Sequence, residues 1–299
     1  MSVNKKKFSF FEICLAIGFC FFSFLVLYPF WQTLVLSFSD PNQASSLGAN
    51  LWPEKWITDA YQFVFGYGHI MKAYMNTIIR TLTGTFLIVA FTMLAAYPLS
   101  KKELPFRDTI TIFFLIAMFF SGGIIPDYLL VKNLGLIDTR WALVLPTAVN
   151  VFYIIIMRNY FMTIDKGIEE SAMMDGASYF TILTRIILPL SKPVIATIAL
   201  WAAVFHWNEW FHALVYIQDD AKSVLQIIVR DMLTAMDLSQ STDAATDAAA
   251  LGGGGSSKNL LLSNVRAATV IISIGPIVLV YPFVQKYFIK GIMIGSLKG

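Results

Sequence analysis

Two cysteines and three histidines are all that this 299-residue chain holds of the usual metal-ligating and redox side chains apart from its carboxylates. Cys14 and Cys20 sit six apart in one apolar run. They build neither a disulfide framework nor a metal site, and apolar filler is the reading left to them. Charge is also sparse. Asp, Glu, Lys and Arg make up 14% of the residues, and 22 basic against 19 acidic groups leave a net charge of +3. There is no clustered basic stripe, which excludes a nucleic-acid partner. No acid pair or histidine cluster falls on facing segments, so no catalytic residue and no metal ligand is assigned.

Apolar surface is what the chain has in excess. Hydrophobic residues are 57% of it and the mean hydropathy is +0.66, too apolar for a soluble domain. The 25 phenylalanines and 7 tryptophans suit a lipid-facing surface with aromatic belts. Six apolar runs stand out: Phe8 to Phe38, Asn76 to Leu99, Thr109 to Ile125, Trp141 to Met157, Pro193 to Ile217 and Val265 to Phe288. Each has ~17 residues or more, enough for a hydrocarbon core of ~30 Å. The third and fourth are the weakest, because glycine and proline there bend a helix. The first run is longer than a signal-peptide core and lacks a small-residue cleavage site, so it is read as an uncleaved span.

The expected fold is therefore an all-α membrane protein, a single domain over residues 1–299 with six transmembrane helices and both termini in the cytoplasm. With that orientation thirteen of the 22 Lys and Arg face inward together with seven of the 19 acids. The basic excess is then inside, as the positive-inside rule requires. Residues 40–72 become an external cap, and 237–258 an external low-complexity loop. The GGGGSSK within that loop is not a phosphate-binding loop: Ser257 and Asn259 flank Lys258 where Gly and Ser or Thr are needed. A flexible linker accounts for it.

Polar groups inside spans receive a functional reading first, because a charge in lipid costs ~2.5–3.5 kcal/mol or more. Trp207, Asn208 and Glu209, beside His206, Trp210 and His212, fall in the outer half of the fifth run. Aromatic rings stack on sugar faces and carboxylates accept hydroxyl protons, which makes these three candidates for a substrate path. The competing reading is an interfacial aromatic belt whose Glu209 reaches external water. Asn76 and Asn150 are further path candidates, with plain helix–helix hydrogen bonds as the alternative.

Between the fourth and fifth runs lies the most punctuated stretch, residues 163–190. Asp165 suits an N-cap, Gly176 a C′ residue, and Ser178 a second N-cap, with Pro189 interrupting the second helix. That spacing predicts a helix–turn–helix against one membrane face. Glu170-Ser171-Ala172 is followed after three residues by Gly176, and after nine more by Ile186-Ile187-Leu188-Pro189. This resembles the E-A-A…G…I-x-L-P loop of the membrane subunits of bacterial binding-protein-dependent ABC importers, with Ser171 the one departure. The chain's ending, Tyr281-Pro282-Phe283 and then Lys290-Gly291-Ile292-Met293-Ile294-Gly295-Ser296-Leu297-Lys298-Gly299, is similar to that of carbohydrate-importer permeases, both the second maltose-type permease and those of complex-oligosaccharide importers.

The resemblance implies a type I ABC importer permease, without enzymatic activity of its own, in the bacterial cytoplasmic membrane. It implies a second, homologous permease, two ATPase subunits that bind ATP and Mg, and an extracellular or periplasmic solute-binding protein. This chain itself would hold no cofactor. Glu170, Ser171, Ala172, Met173, Met174, Asp175, Gly176, Ile186, Leu188 and Pro189 become the ATPase-coupling residues. Glu170 would pair with an arginine in an ATPase cleft, while Glu169, turned ~100° away on the helix, would matter little. The cytoplasmic tail 289–299, with Lys290, Gly291, Gly295 and Lys298, would contact the ATPases, a basic terminus held to anionic lipid being the alternative. The solute would be a sugar, an oligosaccharide above all. A self-contained carrier driven by an ion gradient, with Glu209 as its coupling acid, and a permease for a non-sugar solute remain as alternatives.

Overall fold

Apolar runs of this length favour helix, since a helix satisfies its backbone donors and acceptors within the segment itself. The computed structural model describes residues 10–40, 51–66, 70–120, 122–241, 263–280 and 282, and among these it is helical with no strand. Two compact units divide the chain, Met1–Gly68 with Val229–Ile274, and His69–Ile228 with Gly275–Gly299.

In the first unit, helix α1 (Phe10–Phe38) carries Pro29 without breaking, and the short helix α2 (Asp59–Gly66) packs beside its C-terminal end. Aromatic rings join the two. Phe38 stacks on Tyr61 with centroids 4.7 Å apart, and Trp31 lies 5.5 Å from Trp52. The Trp31 indole donates to the Leu51 carbonyl at 3.0 Å, and the hydroxyls of Ser37 and Tyr61 are 2.8 Å apart. Asn264 donates from its side chain to the Ser39 carbonyl. Residues 51–66 thus pack their aromatic rings on α1; of the rest of the expected cap 40–72, residues 41–50 and 67–69 lie outside the described residues and 70–72 open the long helix that follows.

In the second unit, the central helix is α3 (Ile70–Ser100), 31 residues long. Its buried residues include Asn76, Arg80, Gly84, Ile88, Thr92 and Ala96, one every four positions, which is a single helix face. Against that face pack α6 (Val151–Phe161) and α9 (Lys192–Asn208). Ile154, Met157, Ile198 and Ala202 fill the contact. Small residues on α3 let the partner backbones come close, the packing that membrane helices favour in the absence of a hydrophobic drive between them.

Among the described residues three helices are long and apolar enough to cross a bilayer: α1, α3 and Ser263–Val280; three bent pairs raise the number to six if each is one span. The first pair is α4 (Arg107–Phe119) with α5 (Ile124–Asn133), separated by the Gly122-Gly123 step with Gly123 at φ +87°. The second joins the 3₁₀ turns at 140–147 to α6 with a 50° bend. Asn150, expected in the middle of the fourth run, is the N-cap of α6: its side chain accepts the Tyr153 N–H at 3.2 Å. The Asx cap competes with helix continuation, so the fourth run breaks there. The third pair is α8 (Tyr179–Leu190) with α9, bent by 83°. The fifth run also departs from a continuous Pro193–Ile217 helix, since α9 stops at Asn208 and α10 (Phe211–Tyr216) restarts it.

A polar clasp closes one end of this unit. Asp138, at φ +59°, accepts the backbone N–H groups of Gln218 and Asp219, both at 3.1 Å, and the Lys222 ammonium at 2.7 Å. The Lys222 contact, with the two amides behind it, holds the Asp138 carboxyl below its usual range. Asp138 in turn raises Lys222. A carboxylate with a lowered folded-state pKa contributes stability that is lost as pH falls through that value, and a raised lysine contributes stability that is lost as pH rises through its own. Hydrogen exchange at Gln218 and Asp219, corrected for intrinsic rate, is therefore expected to be slow at neutral pH. It accelerates below the ordinary carboxylate pKa of ~3.9, and Asp138→Asn removes the pH dependence.

Candidate functional site

The stretch 163–190 folds as a self-terminating unit. Asp165 accepts the Gly167 N–H at 3.0 Å and caps α7 (Lys166–Met174). At the other end Gly176 adopts φ +82°. The Gly176 N–H bonds the Met173 carbonyl and the Ala177 N–H bonds the Ala172 carbonyl, both at 3.0 Å, which is a Schellman closure. A Cβ at Gly176 meets nothing within 4 Å, so the left-handed φ and not space demands glycine. Ser178 then accepts the Thr181 N–H at 3.3 Å and caps α8. Before Pro189, α8 widens into a π turn at Leu183–Ile187.

Burial sorts the candidate coupling residues. Glu170, Ser171, Met173, Met174, Asp175 and Gly176 are exposed, Ala172 half-buried. Ile186 and Leu188 are half-buried and Pro189 exposed, while the neighbouring Ile182 and Ile187 are fully buried anchors. Met174 is 88% exposed and Phe180 68%, with Ile168, Met173 and Tyr179 beside them in sequence also exposed. Apolar side chains left bare on a short polar loop are suited to contact with another molecule. Methionine suits it, being flexible and tolerant of changing partners. Tyr179 and Phe180 escaped sequence reading because an aromatic pair after a helix cap is indistinguishable from core.

Glu169 has a partner within the chain. It does turn away from Glu170, but inward: it is the one buried residue of α7 and pairs with Lys101 at the end of α3. The Lys101 ammonium also lies 4.4 Å from the centre of the Tyr97 ring. A cleft of about 470 Å³ opens beside the pair, lined by Lys101, Lys102, Glu103, Lys166, Glu169 and Glu170 among others.

The substrate-path candidates meet different fates. Asn76 has its carboxamide in use: it donates to the Ala221 and Ser223 carbonyls at 2.9 and 3.0 Å and accepts from Arg140 at 2.9 Å. It pins the 221–223 segment to α3, with Thr77 accepting the Leu225 N–H one residue on. Asn150 is the helix cap described above. Trp207 is buried edge-on against Tyr74, 5.7 Å between centroids. Asn208 is exposed and donates to the Val204 carbonyl at 2.9 Å.

Glu209 ends α9, and its carboxylate does not reach out to water: the side chain is 10% exposed. One oxygen pairs with Arg80. The other accepts the His212 N–H at 2.8 Å and lies 3.1 Å from the His212 ring nitrogen. Arg80 also donates to the Glu209 carbonyl at 2.6 Å. One turn along α3, Gly84 leaves room for the fully buried His206, whose ring would lie 2.2 Å from any Cβ there. Arg80 went unremarked in the sequence, although a lone arginine in a 31-residue apolar helix was the available signal. Neither partner sits alone at that depth without cost, since breaking a buried pair from one side costs ~3–5 kcal/mol. In a double-mutant cycle, Arg80→Gln and Glu209→Gln are each expected to lower the thermal stability of the purified protein, with the double variant less destabilised than the sum. Additive losses would show that the two do not act as a pair.

Lys290, Gly291, Gly295 and Lys298, like residues 242–258 of the low-complexity loop, lie outside the described residues. Among the described residues no group of His, Cys, Asp or Glu is arranged to hold a metal ion.

Comparison with known proteins places this geometry. A family model described as "Binding-protein-dependent transport system inner membrane component" matches residues 65–294. The chain is 38% identical over 296 residues to Protein LplC of Bacillus subtilis (strain 168), covering 99% of this chain and 97% of that one. It is 36% identical over 278 residues to the polygalacturonan/rhamnogalacturonan transport system permease protein YtcP of the same organism, covering 93% and 94%. Among solved structures it is similar to a chain of a bacterial ABC transporter involved in the import of the acidic polysaccharide alginate. There the identity is 32%, the TM-score 0.82, and the coverage 96% of this chain and 100% of that one.

Proposed function

The chain belongs to the family of binding-protein-dependent transport system inner membrane components, and on that premise we propose that it passes an oligosaccharide through the membrane as one permease of an ATP-driven importer. The observation that carries the reading is the 163–190 unit: closed at both ends by its own caps, it leaves Glu170, Met173 and Met174 exposed to a partner. The resemblance of that unit to the coupling loop supports its facing the cytoplasm, where two ATPase subunits dock on it. Permease relatives of sugar transport systems support the oligosaccharide. The family's own description supports an external binding protein that delivers it.

The finer architecture belongs to the same proposal: six spans, both termini inside, a second permease alongside, and ATP and Mg held by the ATPases. At the break in the fifth run, Trp210 and Phe211 keep substantial exposure. They, with Asn208, are the residues assigned to the sugar, and Glu209 shapes the break from behind. An ion-coupled carrier would need Glu209 to load and release its ion, and that carboxylate is already engaged by Arg80 and His212.

Two experiments test this. In a background lacking Cys14 and Cys20, Ser178→Cys should resist an impermeant thiol reagent applied to intact cells while Asp220→Cys is labelled. Labelling of Ser178→Cys from outside would sink the topology. Co-purification with partner subunits should be lost with Glu170→Ala. Removing one side of a buried charge pair costs ~2–5 kcal/mol, so ATPase attachment weakens tens- to thousands-fold, and uptake of pectin- or alginate-derived oligosaccharides stops while the permease still inserts. Full ATPase retention in Glu170→Ala would remove this loop from the docking surface.

A further inference from the structure

The caps of α7 are local bonds, made within the loop. The Ser171 hydroxyl likewise turns back to the Gly167 carbonyl at 2.7 Å. What fastens α7 to the helical core is Ala172, packed against it, and the Glu169–Lys101 ion pair, both side chains one-fifth exposed or less. Lys101 continues directly from α3, its N–H donating to the Pro98 carbonyl at 3.0 Å. That helix end is itself held: Arg158 donates to the Leu99 carbonyl at 3.0 Å, and Tyr97 is buried against Phe161.

From Lys101 the rod of α3 runs back to Arg80, twenty-one residues or ~32 Å away at 1.5 Å each. There it grips Glu209 at the break in the fifth run. The covalent route from the loop to the same break differs. It passes through the π turn, Pro189 and an 83° bend before α9 begins. Such a joint yields more readily than α3, whose one proline, Pro98, falls in its last turn.

We propose that Glu169 is a positioning residue for coupling: through Lys101 it ties the 163–190 unit to α3, so that movement imposed on the loop is carried by α3 to the Arg80–Glu209 junction. The inference rests on the importer reading and deepens it. It divides the two adjacent acids by task. Glu170 faces the partner and attaches it, while Glu169 faces inward and transmits.

The test uses the whole complex, with partner permease and ATPases, in lipid nanodiscs with the external binding protein loaded from a pectin digest. An impermeant maleimide reads Asn208→Cys, in a background without Cys14 and Cys20, before and after trapping with ATP and vanadate. Glu169→Gln and Lys101→Met should keep the ATPases bound and the basal hydrolysis rate near that of the wild type. Their trapping-dependent change in labelling should fall by about tenfold, within the range of site-to-site couplings. The exchange Glu169→Lys with Lys101→Glu should restore most of it, which a merely structural role for either residue would not predict. A Glu169→Gln complex that responds as the wild type does overturns the proposal. Loss of ATPase attachment to the degree of Glu170→Ala also overturns it, by putting Glu169 in the docking surface, and so does an exchange that restores nothing. A wild-type complex whose labelling ignores ATP would instead remove the importer reading beneath it.

Discussion

An arginine and a glutamate in an apolar helical unit must find each other, and much of the second unit is arranged around that need. Arg80 sits on the buried face of α3 with Asn76 one turn before it and Gly84 one turn after. Glu209 lies where α9 gives out. The break and the ion pair explain one another. A helix that ends inside a membrane protein leaves carbonyls without partners, and Arg80 takes one of them, the Glu209 carbonyl, while pairing with the carboxylate. The His212 N–H then uses the remaining carboxylate oxygen. With the charges so satisfied, the chain can turn sharply at Glu209 and start again at Phe211.

That arrangement makes α3 the organising element of the unit. At one end it collects Asn76, Thr77 and Arg80, which hold the 221–225 segment and the break. At the other it presents Lys101 to Glu169. Between the two, its every-fourth-residue stripe of Gly84, Ile88, Thr92 and Ala96 is small or β-branched and packs on α6 and α9. With polar attachments at both ends, tight packing between and its one proline in the last turn, α3 is stiff along its axis, which the proposed relay requires.

The 163–190 unit shows the complementary design. Its own caps form it: Asp165, Gly176 and Ser178 bond only to near neighbours. It keeps its shape before any partner arrives, and little ordering entropy is then lost on docking. The bare Met173, Met174, Tyr179 and Phe180 add apolar area to a surface on which Glu170 is exposed together with Lys166 and Asp175.

How much of this was legible in the sequence depends on the range of each interaction. The caps, the Gly176 turn, the membrane character and the family likeness all rest on residues a few positions apart, or on composition, and a linear reading recovers such features. The sorting of Glu169 from Glu170 was half legible: the helix rotates one away from the other, but which of them meets a partner depends on what stands inside. Lys101 stands there, 68 positions back in the chain. Arg80 and Glu209 are 129 positions apart, and Asn76 is 147 from Ser223. Spacing in the chain carries no record of such meetings. Asn76, Asn150 and Glu209 therefore looked alike as polar residues in apolar runs, and only packing separated a segment pin, a helix cap and half of an ion pair. The sequence by itself determined the caps of the 163–190 unit and the membrane character of the apolar runs, because capping and hydrophobic length are local, but not the breaks at Asn150 and Glu209. The tertiary structure alone decided which charges are spent inside the protein and which remain for a partner, because that depends on which side chains long-range packing brings within reach.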